Sequence, residues 1–276
     1  MRIAFQGVRG AYSEEAALKR LPDAEPVGFP YSEQVVEAVD SGRAEYGMLP
    51  IENSIAGPVG VNLDLFLAHD VFIIDEVYLP IDHCLLAKPG TKLGDVWSVY
   101  SHPIALAQCR EFLNAHGYKA VPEYDTAGSA ELISGHGRPG EAAIAPRRCA
   151  AIYGLAVLAE NIQSVRANIT RFGLFVRRDK VPAGLKMEKT SLSFTAAHRP
   201  GALLGCLKRF ADNGVNLTKL ESRPVATDPF AYVFLADLLG GMDDAPVKKA
   251  LAELGADAVG IKILGSYPLG ERGPVS

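Results

Sequence analysis

Short apolar runs alternate with amphipathic segments over residues 1–177, and this alternation restricts the fold more than any other feature of the chain. Ile3–Gln6 and Tyr46–Ile51 are typical of strands, and the segment from Ser13 to about Arg20 is typical of a helix. Strands that alternate with helices build a mainly parallel sheet that helices cover on both faces. The pattern therefore predicts an α/β fold for this part of the chain.

The remaining elements of this region follow from the same periodicities and from their capping residues. Further strands are predicted at 71–77, 81–87, 96–100, 118–123, 142–145 and 174–177, and further helices at 33–40, 58–68 and 104–116. Gly117 is expected to end the helix before it, because glycine is the usual residue just past a helix terminus.

Polar segments follow three of the predicted strands. Gly7–Ser13, Glu52–Gly57 and Ser101–Pro103 each come directly after an apolar run. Open sheets bind ligands at the carboxyl ends of their strands, so these segments are expected to share one cleft. The glycine turn could seat an anion on helix amides or be purely structural, and residues 52–57 could equally cap the next helix.

Residues 168–172, Asn-Ile-Thr-Arg-Phe, carry the strongest chemical signal in the sequence. Thr170 offers a hydroxyl proton, and Arg171 offers a fixed fork of donors for a carboxylate. Asn53 and Ser54 add neutral hydrogen-bonding groups. Such a set of groups suits a small anionic substrate that loses a hydroxyl.

A different order of elements begins near residue 190. Ser191–Ala197 alternates between apolar and polar residues, Pro200–Asn213 has a helical stripe, and 215–225, 231–239, 245–254 and 261–265 continue the order βαββαβ. This is the ferredoxin-like arrangement. The charged segment before it, with Pro182 and Gly184, is interpreted as a linker.

Composition excludes several classes of function. The net charge is 28 − 32 = −4, and no basic run is longer than a pair, so nucleic-acid binding is not expected. No apolar stretch is long enough to span a bilayer, and no secretory h-region is found, so we expect a cytoplasmic protein without a membrane partner. The four cysteines and six histidines show no metal-ligand spacing, so no metal or cofactor is predicted.

Four of these segments resemble the prephenate dehydratase family: Gly7–Ser13, Pro50–Ser54, Ser101–Pro103 with Gln108 and Cys109, and Thr170–Phe172. The resemblance implies a catalytic domain over 1–178, a linker over 179–189 and a further domain over 190–268. It also implies two lobes, like those of a periplasmic binding protein, at about 1–78 with 160–178 and at about 80–158. Val8 and Arg9 depart from the family's glycine turn, and Ile104 replaces a usual glutamine.

The resemblance also implies a reaction and a set of site residues. The family converts prephenate to phenylpyruvate, water and carbon dioxide without a cofactor, which is a lyase reaction. Thr170 is expected to donate to the leaving hydroxyl, with Arg171, Asn53 and Ser54 as further catalytic residues. Arg171 would hold the loop or balance the charge of the substrate. The expected substrate-binding residues are Gly10, Ala11, Tyr12, Ser13, Ser101, Thr126, Ala127, Asn168 and Phe172. His102 could serve as a general acid or be bonded to the backbone, and residues 125–130 could cap a helix or line the cleft.

Two C-terminal segments, Arg199–Leu204 and Glu221–Pro224, resemble an ACT regulatory domain. The resemblance implies that L-phenylalanine binds between two such domains and inhibits the enzyme, in a homodimer or homotetramer. The implied effector residues are Gly201, Ala202, Leu203, Leu204, Asn216, Leu217, Glu221, Ser222, Arg223 and Pro224. Arg223 is expected to fix the neighbouring chain rather than to touch the ligand.

Three alternatives remain open at the level of sequence. The first is arogenate dehydratase, which uses the same chemistry on an amino substrate, and the opening segment Phe5–Ser13 is similar to the plant enzymes of that kind. The second is a small-molecule receptor that binds without catalysis. The third is an amino-acid-sensing module, which would leave the first 177 residues without a purpose.

Overall fold

Two β-sheets organise the chain in a computed structural model that describes residues 1–197, 199–225 and 228–271. The strands are β1 Arg2–Gln6, β2 Glu25–Phe29, β3 Tyr46–Asn53, β4 Gly57–Pro58, β5 Val71–Pro80, β6 His83–Ala87, β7 Ser98–Ser101, β8 Lys119–Pro122, β9 Glu141–Pro146, β10 Ala156–Ala159, β11 Ile169–Arg177, β12 Lys189–Ala196, β13 Leu217–Val225, β14 Asp228–Leu239 and β15 Ala258–Tyr267. The helices are α1 Tyr12–Arg20, α2 Ser32–Asp40, α3 Gly60–Ala68, α4 Pro103–Gln108, α5 Arg110–His116, α6 Thr126–His136, α7 Arg148–Tyr153, α8 Ala202–Asp212 and α9 Ala245–Leu254.

The first lobe contains β1 to β5 together with β11. Strand β1 pairs in parallel with β2 and β3, whereas β11 runs antiparallel between β3 and β5. The sheet is therefore mixed, and the expectation of a mainly parallel sheet is wrong. The reason is the chain path: β5 leaves for the second lobe, and the returning chain enters beside it in the opposite direction.

The second lobe is a five-stranded sheet in the order β10-β6-β9-β7-β8. Its outer pair β10-β6 and the pair β6-β9 are antiparallel, while β9, β7 and β8 run in parallel. The chain passes between the lobes once after β5 and again before β11. The predicted two-lobed α/β fold is confirmed.

Buried apolar side chains hold each lobe together. Phe66 and Phe175 lie edge to face with ring centroids 5.2 Å apart on one face of the first sheet. Phe5, Met48 and Phe172 pack on the other face, in a cluster that continues into the second lobe. Each such side chain contributes about 1.5–3 kcal/mol when it is fully buried.

The C-terminal unit has the predicted order βαββαβ, with its strands arranged β13-β14-β12-β15 and all antiparallel. This ferredoxin-like arrangement is confirmed. The unit is joined to the first lobe, because Gly265 of β15 pairs in parallel with Ile73 of β5. A side chain could not fit there, since a Cβ on Gly265 would lie 2.5 Å from the backbone oxygen of Ile73.

Several predicted element boundaries were wrong. Strand β2 was missed, Pro58 lies in β4 rather than in α3, and the helix expected over 104–116 is broken at Cys109. The last strand of the first lobe begins at Ile169 rather than Leu174, because β3 and β5 supply ladder partners on both sides of its polar residues. Gly117 does end its helix, in the left-handed conformation.

Candidate active site

A cleft of about 480 Å³ lies between the two lobes. The first lobe contributes the last residues of β1 and β3, the first residues of β11, the start of α1 and the chain around β4. The second lobe contributes the start of β6 and the first turns of α4 and α6. The volume is in the range of pockets that bind small organic molecules.

Thr170 lines this cleft and lies opposite Asn53 in the β11-β3 pair. The Asn53 side-chain nitrogen donates to Thr170 Oγ1 at 2.9 Å and to Asn168 Oδ1 at 2.7 Å. An amide nitrogen can only donate, so the Thr170 oxygen is the acceptor and its own proton is free for another partner. Among the described residues no acceptor for that proton is found. Thr170 is thus set to donate to a molecule in the cleft.

The orientation of the Asn53 amide is fixed from the other side. Its Oδ1 accepts the backbone amides of Ile55 at 3.0 Å and Ala56 at 2.8 Å, so the oxygen and nitrogen cannot exchange places without losing these bonds. The turn after β3 therefore serves both interpretations of residues 52–57, since one side chain closes the turn and also orients Thr170.

Ser54 supports the same turn instead of facing the cleft, which corrects its expected catalytic role. Its hydroxyl donates to the Ala167 carbonyl at 3.0 Å and accepts the Ile169 amide at 2.9 Å. With both its donor and an acceptor position used, Ser54 fastens the turn to the start of β11.

A chain of hydrogen bonds extends from Asn168 into the second lobe. Asn168 Nδ2 donates to Gln108 Oε1 at 3.0 Å, and the same oxygen lies 2.9 Å from His83 Nε2. An oxygen can only accept, so His83 carries a proton on Nε2. Burial lowers the pKa of His83, which leaves the ring neutral at pH 7. Asn168 therefore acts behind Asn53 and Thr170, and it does not itself line the cleft.

In the glycine turn before α1, the Gly10 amide is not available to bind an anion, contrary to the expectation. The Gly10 amide already donates to Glu14 Oε2 at 2.7 Å, and Glu14 is also paired with Arg148 of the second lobe at 2.8 Å. The next three residues, Ala11, Tyr12 and Ser13, do line the cleft as predicted. The Tyr12 hydroxyl is bonded to the Asp82 carbonyl at 2.6 Å, which ties α1 to the passage between the lobes.

In the second lobe, some of the predicted residues line the cleft and others are buried away from it. Thr126 lines the cleft, but Ala127 is fully buried in the core and Ser101 is fully buried with its hydroxyl on the Ile144 carbonyl at 2.7 Å. Both were expected to bind substrate, and neither faces the cleft. They were placed there because they neighbour polar residues in the sequence, and adjacent residues commonly point to opposite sides of an element.

His102 and Asp125 occupy the helix starts that face the cleft. His102 Nδ1 accepts the Ile104 amide at 3.3 Å, and Asp125 Oδ1 accepts the amides of Ala127 at 2.6 Å and Gly128 at 3.2 Å. Burial lowers the pKa of His102 and raises the pKa of Asp125. The lowered pKa leaves His102 neutral at pH 7. The hydrogen bonds show that both side chains cap helices, and both also line the cleft.

The lining holds little charge of its own. Within the described residues it contains no lysine or arginine, and Asp125 is its one carboxylate. An anion in the cleft would therefore be met by the first-turn amides of α1 and, on the second lobe, by Thr126, because Asp125 already accepts the amides of Ala127 and Gly128. Helix N-termini favour anions through their unpaired N–H groups and their dipole.

Arg171 points away from the cleft, which corrects its expected catalytic role. Its Nε lies 2.6 Å from Glu76 Oε2, Nη1 lies 2.5 Å from Asp237 Oδ2, and Nη2 donates to the Tyr267 hydroxyl at 2.7 Å. Successive residues of a strand face opposite sides of the sheet, so Thr170 and Phe172 reach the cleft and Arg171 reaches the C-terminal unit. The guanidinium is thus committed to internal carboxylates.

Other residues that line the cleft were not in the predicted set. They are Gln6, Pro50, Ala56, Gly57, Pro58, Val59, Gly60, Val61, Ile81, His83, His102, Ile104, Ala105, Gln108, Tyr124 and Asp125. His102 and Gln108 had a signal, since they belong to the segment that resembles the family. His83 had no such signal, because it lies where the chain enters the second lobe and the residues around it indicate only an apolar strand.

The C-terminal residues predicted to bind an effector lie in two places. Gly201–Leu204 form the start of α8, where Leu204 is 71% exposed and Ala202 is buried. Glu221–Pro224 lie on β13, and Asn216 and Leu217 lie at its start. Among the described residues no hydrogen bond or ion pair joins the two groups within the chain.

Arg223 contacts the first lobe. Its Nε and Nη2 lie 2.9 and 2.6 Å from the two carboxylate oxygens of Asp64 on α3. The guanidinium also lies against Gly60, where a Cβ would stand 1.9 Å from Nη1. Since Gly60 lines the cleft, the segment around Glu221–Pro224 reaches the back of the cleft wall.

Among the described residues, no group of three or more His, Cys, Asp or Glu side chains is arranged to hold a metal ion. No helix among these residues is both long and apolar enough to cross a membrane.

The fold and the cleft define a two-lobed α/β protein that binds a small molecule between its lobes and carries a βαββαβ unit. A protein-family model described as prephenate dehydratase matches residues 3–180. The chain belongs to the prephenate dehydratase family.

Similar proteins extend over nearly the whole chain. "Arogenate dehydratase/prephenate dehydratase 1, chloroplastic" of Arabidopsis thaliana is 41% identical over 283 residues, which cover 98% of this chain and 72% of the relative. The prephenate dehydratase of Arthrobacter aurescens, solved in complex with L-Phe, is 35% identical with a TM-score of 0.87 over 97% of this chain and 89% of that one. A structure described as "GqqA- a novel type of quorum quenching acylases" is 38% identical, with a TM-score of 0.87 over 97% and 98%.

The expectation of a cytoplasmic protein is wrong. Two relatives from Arabidopsis thaliana, 41% and 40% identical, are labelled chloroplastic. The expectation depended on the lack of a secretory h-region. Plastid transit segments lack that region as well, so the criterion could not separate the two compartments.

Proposed function

We propose that this protein is a prephenate dehydratase, which converts prephenate to phenylpyruvate in L-phenylalanine biosynthesis. The observation that carries the proposal is the Thr170 hydroxyl, which Asn53 holds as a donor toward the cleft. In the reaction the ring carboxylate leaves as carbon dioxide, and its bonding electrons complete the aromatic ring. The ring hydroxyl leaves with the electron pair of its C–O bond and takes up a proton to become water. A strong hydrogen bond to its oxygen assists the departure.

Thr170 supplies that hydrogen bond. Aromatisation and the release of carbon dioxide drive the reaction, so the protein needs no strong base, and the neutral His83 and His102 are consistent with this. The lining around Thr170 is uncharged on the first lobe, where Pro50 and Phe172 flank it. A poorly solvated donor stabilises developing negative charge more than a donor in water does.

The carboxylates of prephenate are held by helix N-termini in this proposal. The start of α1, with Ala11, Tyr12 and Ser13, faces the start of α6, with Thr126, across the cleft. The first turn of α1 offers backbone amides to one carboxylate. At α6 Asp125 already accepts the amides of Ala127 and Gly128, so Thr126 meets the other carboxylate. Because the two helices belong to different lobes, the substrate bridges the lobes when it binds.

Replacing Thr170 by alanine tests the proposal. General acid catalysis contributes roughly 10²–10⁴-fold to a rate. We expect Thr170→Ala to lose prephenate turnover in that range while its melting temperature stays close to that of the wild type. Turnover at the wild-type rate in a folded Thr170→Ala protein would contradict the role.

Arogenate, which has an ammonium group where prephenate has a keto group, is the second candidate substrate. Several of the similar plant proteins are named arogenate dehydratases. The deciding experiment measures phenylpyruvate from prephenate and phenylalanine from arogenate in parallel. Faster turnover of prephenate supports the proposal, faster turnover of arogenate supports the alternative, and binding without turnover of either supports a receptor.

The acylase activity named for one similar structure is not proposed for this chain. Covalent acyl transfer needs a nucleophile within hydrogen-bond reach of a base. In the part of the chain that the structure describes, no serine, threonine or cysteine side chain is hydrogen-bonded to a histidine.

The C-terminal unit is proposed to be an ACT domain that binds L-phenylalanine and inhibits turnover. The ferredoxin-like order of β12 to β15 and the L-Phe complex of the Arthrobacter aurescens protein support this. The two groups of predicted effector residues are not joined within the chain, which is consistent with a site completed by a second copy in a homodimer or homotetramer. Added L-phenylalanine should lower turnover and raise the melting temperature, and no change in either would contradict the proposal.

The domain boundaries remain part of this proposal. They are a catalytic domain over 1–178, with lobes of about 1–78 plus 160–178 and about 80–158, a linker over 179–189 and an ACT domain over 190–268. The membership of the strands in the two sheets supports the division into lobes.

A further inference from the structure

Behind Thr170, on the opposite face of β11, six polar side chains form a buried cluster that we name the ionic junction. Its members are Arg171, Glu76, Lys189, Ser191, Asp237 and Tyr267. They come from β5 and β11 of the first lobe and from β12, β14 and β15 of the C-terminal unit. The junction is therefore shared between the part of the chain that holds the cleft and the part that is proposed to bind the effector.

The hydrogen bonds of the ionic junction close a ring. Arg171 Nη2 donates to the Tyr267 oxygen at 2.7 Å, and Arg171 Nη1 lies 2.5 Å from Asp237 Oδ2. Ser191 donates to Asp237 Oδ1 at 2.5 Å, so its oxygen accepts from the Tyr267 hydroxyl at 2.5 Å. Each donor in this ring has one acceptor, and a shift of Arg171 would break bonds on both sides of it.

The formal charges of the six side chains in the ionic junction balance, and at its border Glu52 Oε2 lies 3.8 Å from Arg171 Nη1 and 3.5 Å from Lys219 Nζ. Two cations, Arg171 and Lys189, face two carboxylates, Glu76 and Asp237, and Lys189 Nζ donates to Glu76 Oε2 at 2.8 Å. All four are buried, with Arg171 only 5% exposed. Such clusters contribute little net stability compared with apolar packing, but they strongly penalise any arrangement that separates the partners. The ionic junction therefore fixes a position more than it strengthens the fold.

The position that it fixes is that of Thr170. Arg171 is the next residue along β11, and consecutive Cα atoms are about 3.8 Å apart. The β11-β3 register is irregular at this point, because Arg171 pairs with Glu52 while Phe172 pairs with Pro50, which leaves Ile51 as an extra residue. Bulges of this kind re-aim side chains and weaken the local ladder. On the other side the ladder is regular, with Thr170 opposite Leu79 of β5. The β3 side alone thus leaves the aim of Thr170 irregular, and the side chain of Arg171 adds a further anchor.

We propose that Arg171 is a positioning residue, which places the Thr170 hydroxyl through its contacts with the ionic junction. The proposal rests on the dehydratase function proposed above. It differs from a structural role because it predicts an effect on the chemical step rather than on folding or substrate affinity.

Tyr267→Phe tests the proposal, since it removes one hydroxyl from the ring without changing the charge or the shape of the core. A misplacement of about 1 Å at a catalytic group costs roughly 10²-fold in rate. For the smaller shift expected here, we predict that kcat for prephenate falls by about tenfold while KM changes less than about twofold. Ser191→Ala breaks the same ring from another strand and should give a loss of the same kind, which keeps the test decisive if Tyr267→Phe folds poorly.

Lys262→Met provides the matched control. Lys262 of β15 also joins the C-terminal unit to the first lobe, because its Nζ donates to the carbonyls of Leu67 at 2.8 Å and His69 at 2.7 Å. It does not contact the ionic junction or the cleft. Its kcat should stay within about twofold of the wild type. An equal loss in Lys262→Met and Tyr267→Phe would show that only general docking of the unit matters and would overturn the proposal.

A double variant decides whether the effect passes through Thr170. In a Thr170→Ala background, Tyr267→Phe should cause no further loss of kcat, because the group that it positions is absent. A full additional tenfold loss would overturn the proposal, as would an unchanged kcat in a folded Tyr267→Phe protein. Failure of the proposed function is a separate result, because the wild type itself would then not turn over prephenate.

Discussion

The two faces of β11 differ sharply in chemistry, although their key residues are neighbours in the sequence. On the cleft face Thr170 is held by neutral amides, and no lysine or arginine of the described residues lines the space beside it. On the other face Arg171 lies among buried charges that belong to the C-terminal unit. The difference shows that one short motif can place a reactive group, Thr170, on one side of a sheet and the residue that positions it, Arg171, on the other. Substitutions on one face or the other should separate these two roles.

Asn53→Asp should cause the largest effect and should confine it to the cleft face. The aspartate would accept rather than donate, so the Thr170 hydroxyl proton would turn toward residue 53 and away from the substrate. We expect a loss in kcat of about 10²-fold, within the range for a misdirected catalytic donor. Steady-state turnover of prephenate measures it.

The matching control for that variant is thermal unfolding. The introduced carboxylate can still accept the amides of Ile55 and Ala56, so the turn should persist and the protein should stay folded at the assay temperature. The melting temperature should fall by a few degrees, because the buried Asn168 Oδ1 loses its donor. Normal turnover in Asn53→Asp would show that the direction of the Thr170 proton is unimportant, contrary to the account of the cleft face.

Glu76→Gln concerns the face of β11 opposite the cleft, and its main effect should be a large loss of stability. Removing one charge from a buried ion pair costs about 3–5 kcal/mol, because its cationic partners stay buried. This predicts a fall in melting temperature of about 6–20 °C. The exposed pair of Arg147 and Glu160 gives a control, since Glu160→Gln should cost less than about 1 kcal/mol. Equal melting temperatures for the two variants would refute the buried-charge account.

The pH dependence of stability should also reveal the charged face. Burial acts to raise the pKa of Asp237, but Arg171 and Lys189 outweigh it and leave the pKa below its usual value. A depressed carboxyl pKa adds stability that is full above the unfolded value of about 3.9 and is lost as the pH falls through the folded value. The difference in unfolding free energy between the wild type and Asp237→Asn should therefore be constant above about pH 5 and shrink in acid. Denaturant unfolding at several pH values measures it, and a difference that grows in acid would have the wrong sign.

Ile104→Gln should give the smallest effect and concerns the second-lobe side of the cleft. Ile104 lines the cleft and is 48% exposed, at a position where the family resemblance expects glutamine. One added hydrogen bond contributes about 0.5–1.5 kcal/mol, so KM for prephenate should fall by about 2–10-fold with kcat unchanged. Ile104→Leu is the apolar control. An unchanged KM in Ile104→Gln would remove this position from the binding site.

Sequence alone predicted the residues of the cleft face better than those of the other face. Thr170 and Asn53 were both identified from their motifs, and the structure brings them together. Their hydrogen bond could not be foreseen, because it depends on the pairing of β11 with β3 between residues 117 positions apart in the chain. Ser54 and Ser101 were misplaced for a related reason, since both face the backbone of neighbouring segments.

Arg171 shows why the other face escaped prediction. Its charge was interpreted either as holding the loop or as balancing the charge of the substrate, because sequence adjacency to Thr170 does not show which side of a strand a residue faces. Its partners Asp237 and Tyr267 lie 66 and 96 residues further along the chain. The C-terminal elements themselves were predicted in the right order from their periodicity, but how they dock on β5 depends on tertiary contacts.

The most direct test of the account compares prephenate turnover by Thr170→Ser and Thr170→Val, with phenylpyruvate measured by its absorbance in alkali. Serine keeps the hydroxyl, and valine keeps the shape of threonine without it. The account predicts that Thr170→Ser stays within about tenfold of the wild type and that a folded Thr170→Val is slower by at least about 10²-fold. Comparable rates for the two variants would contradict the claim that the Thr170 hydroxyl assists departure of the substrate hydroxyl.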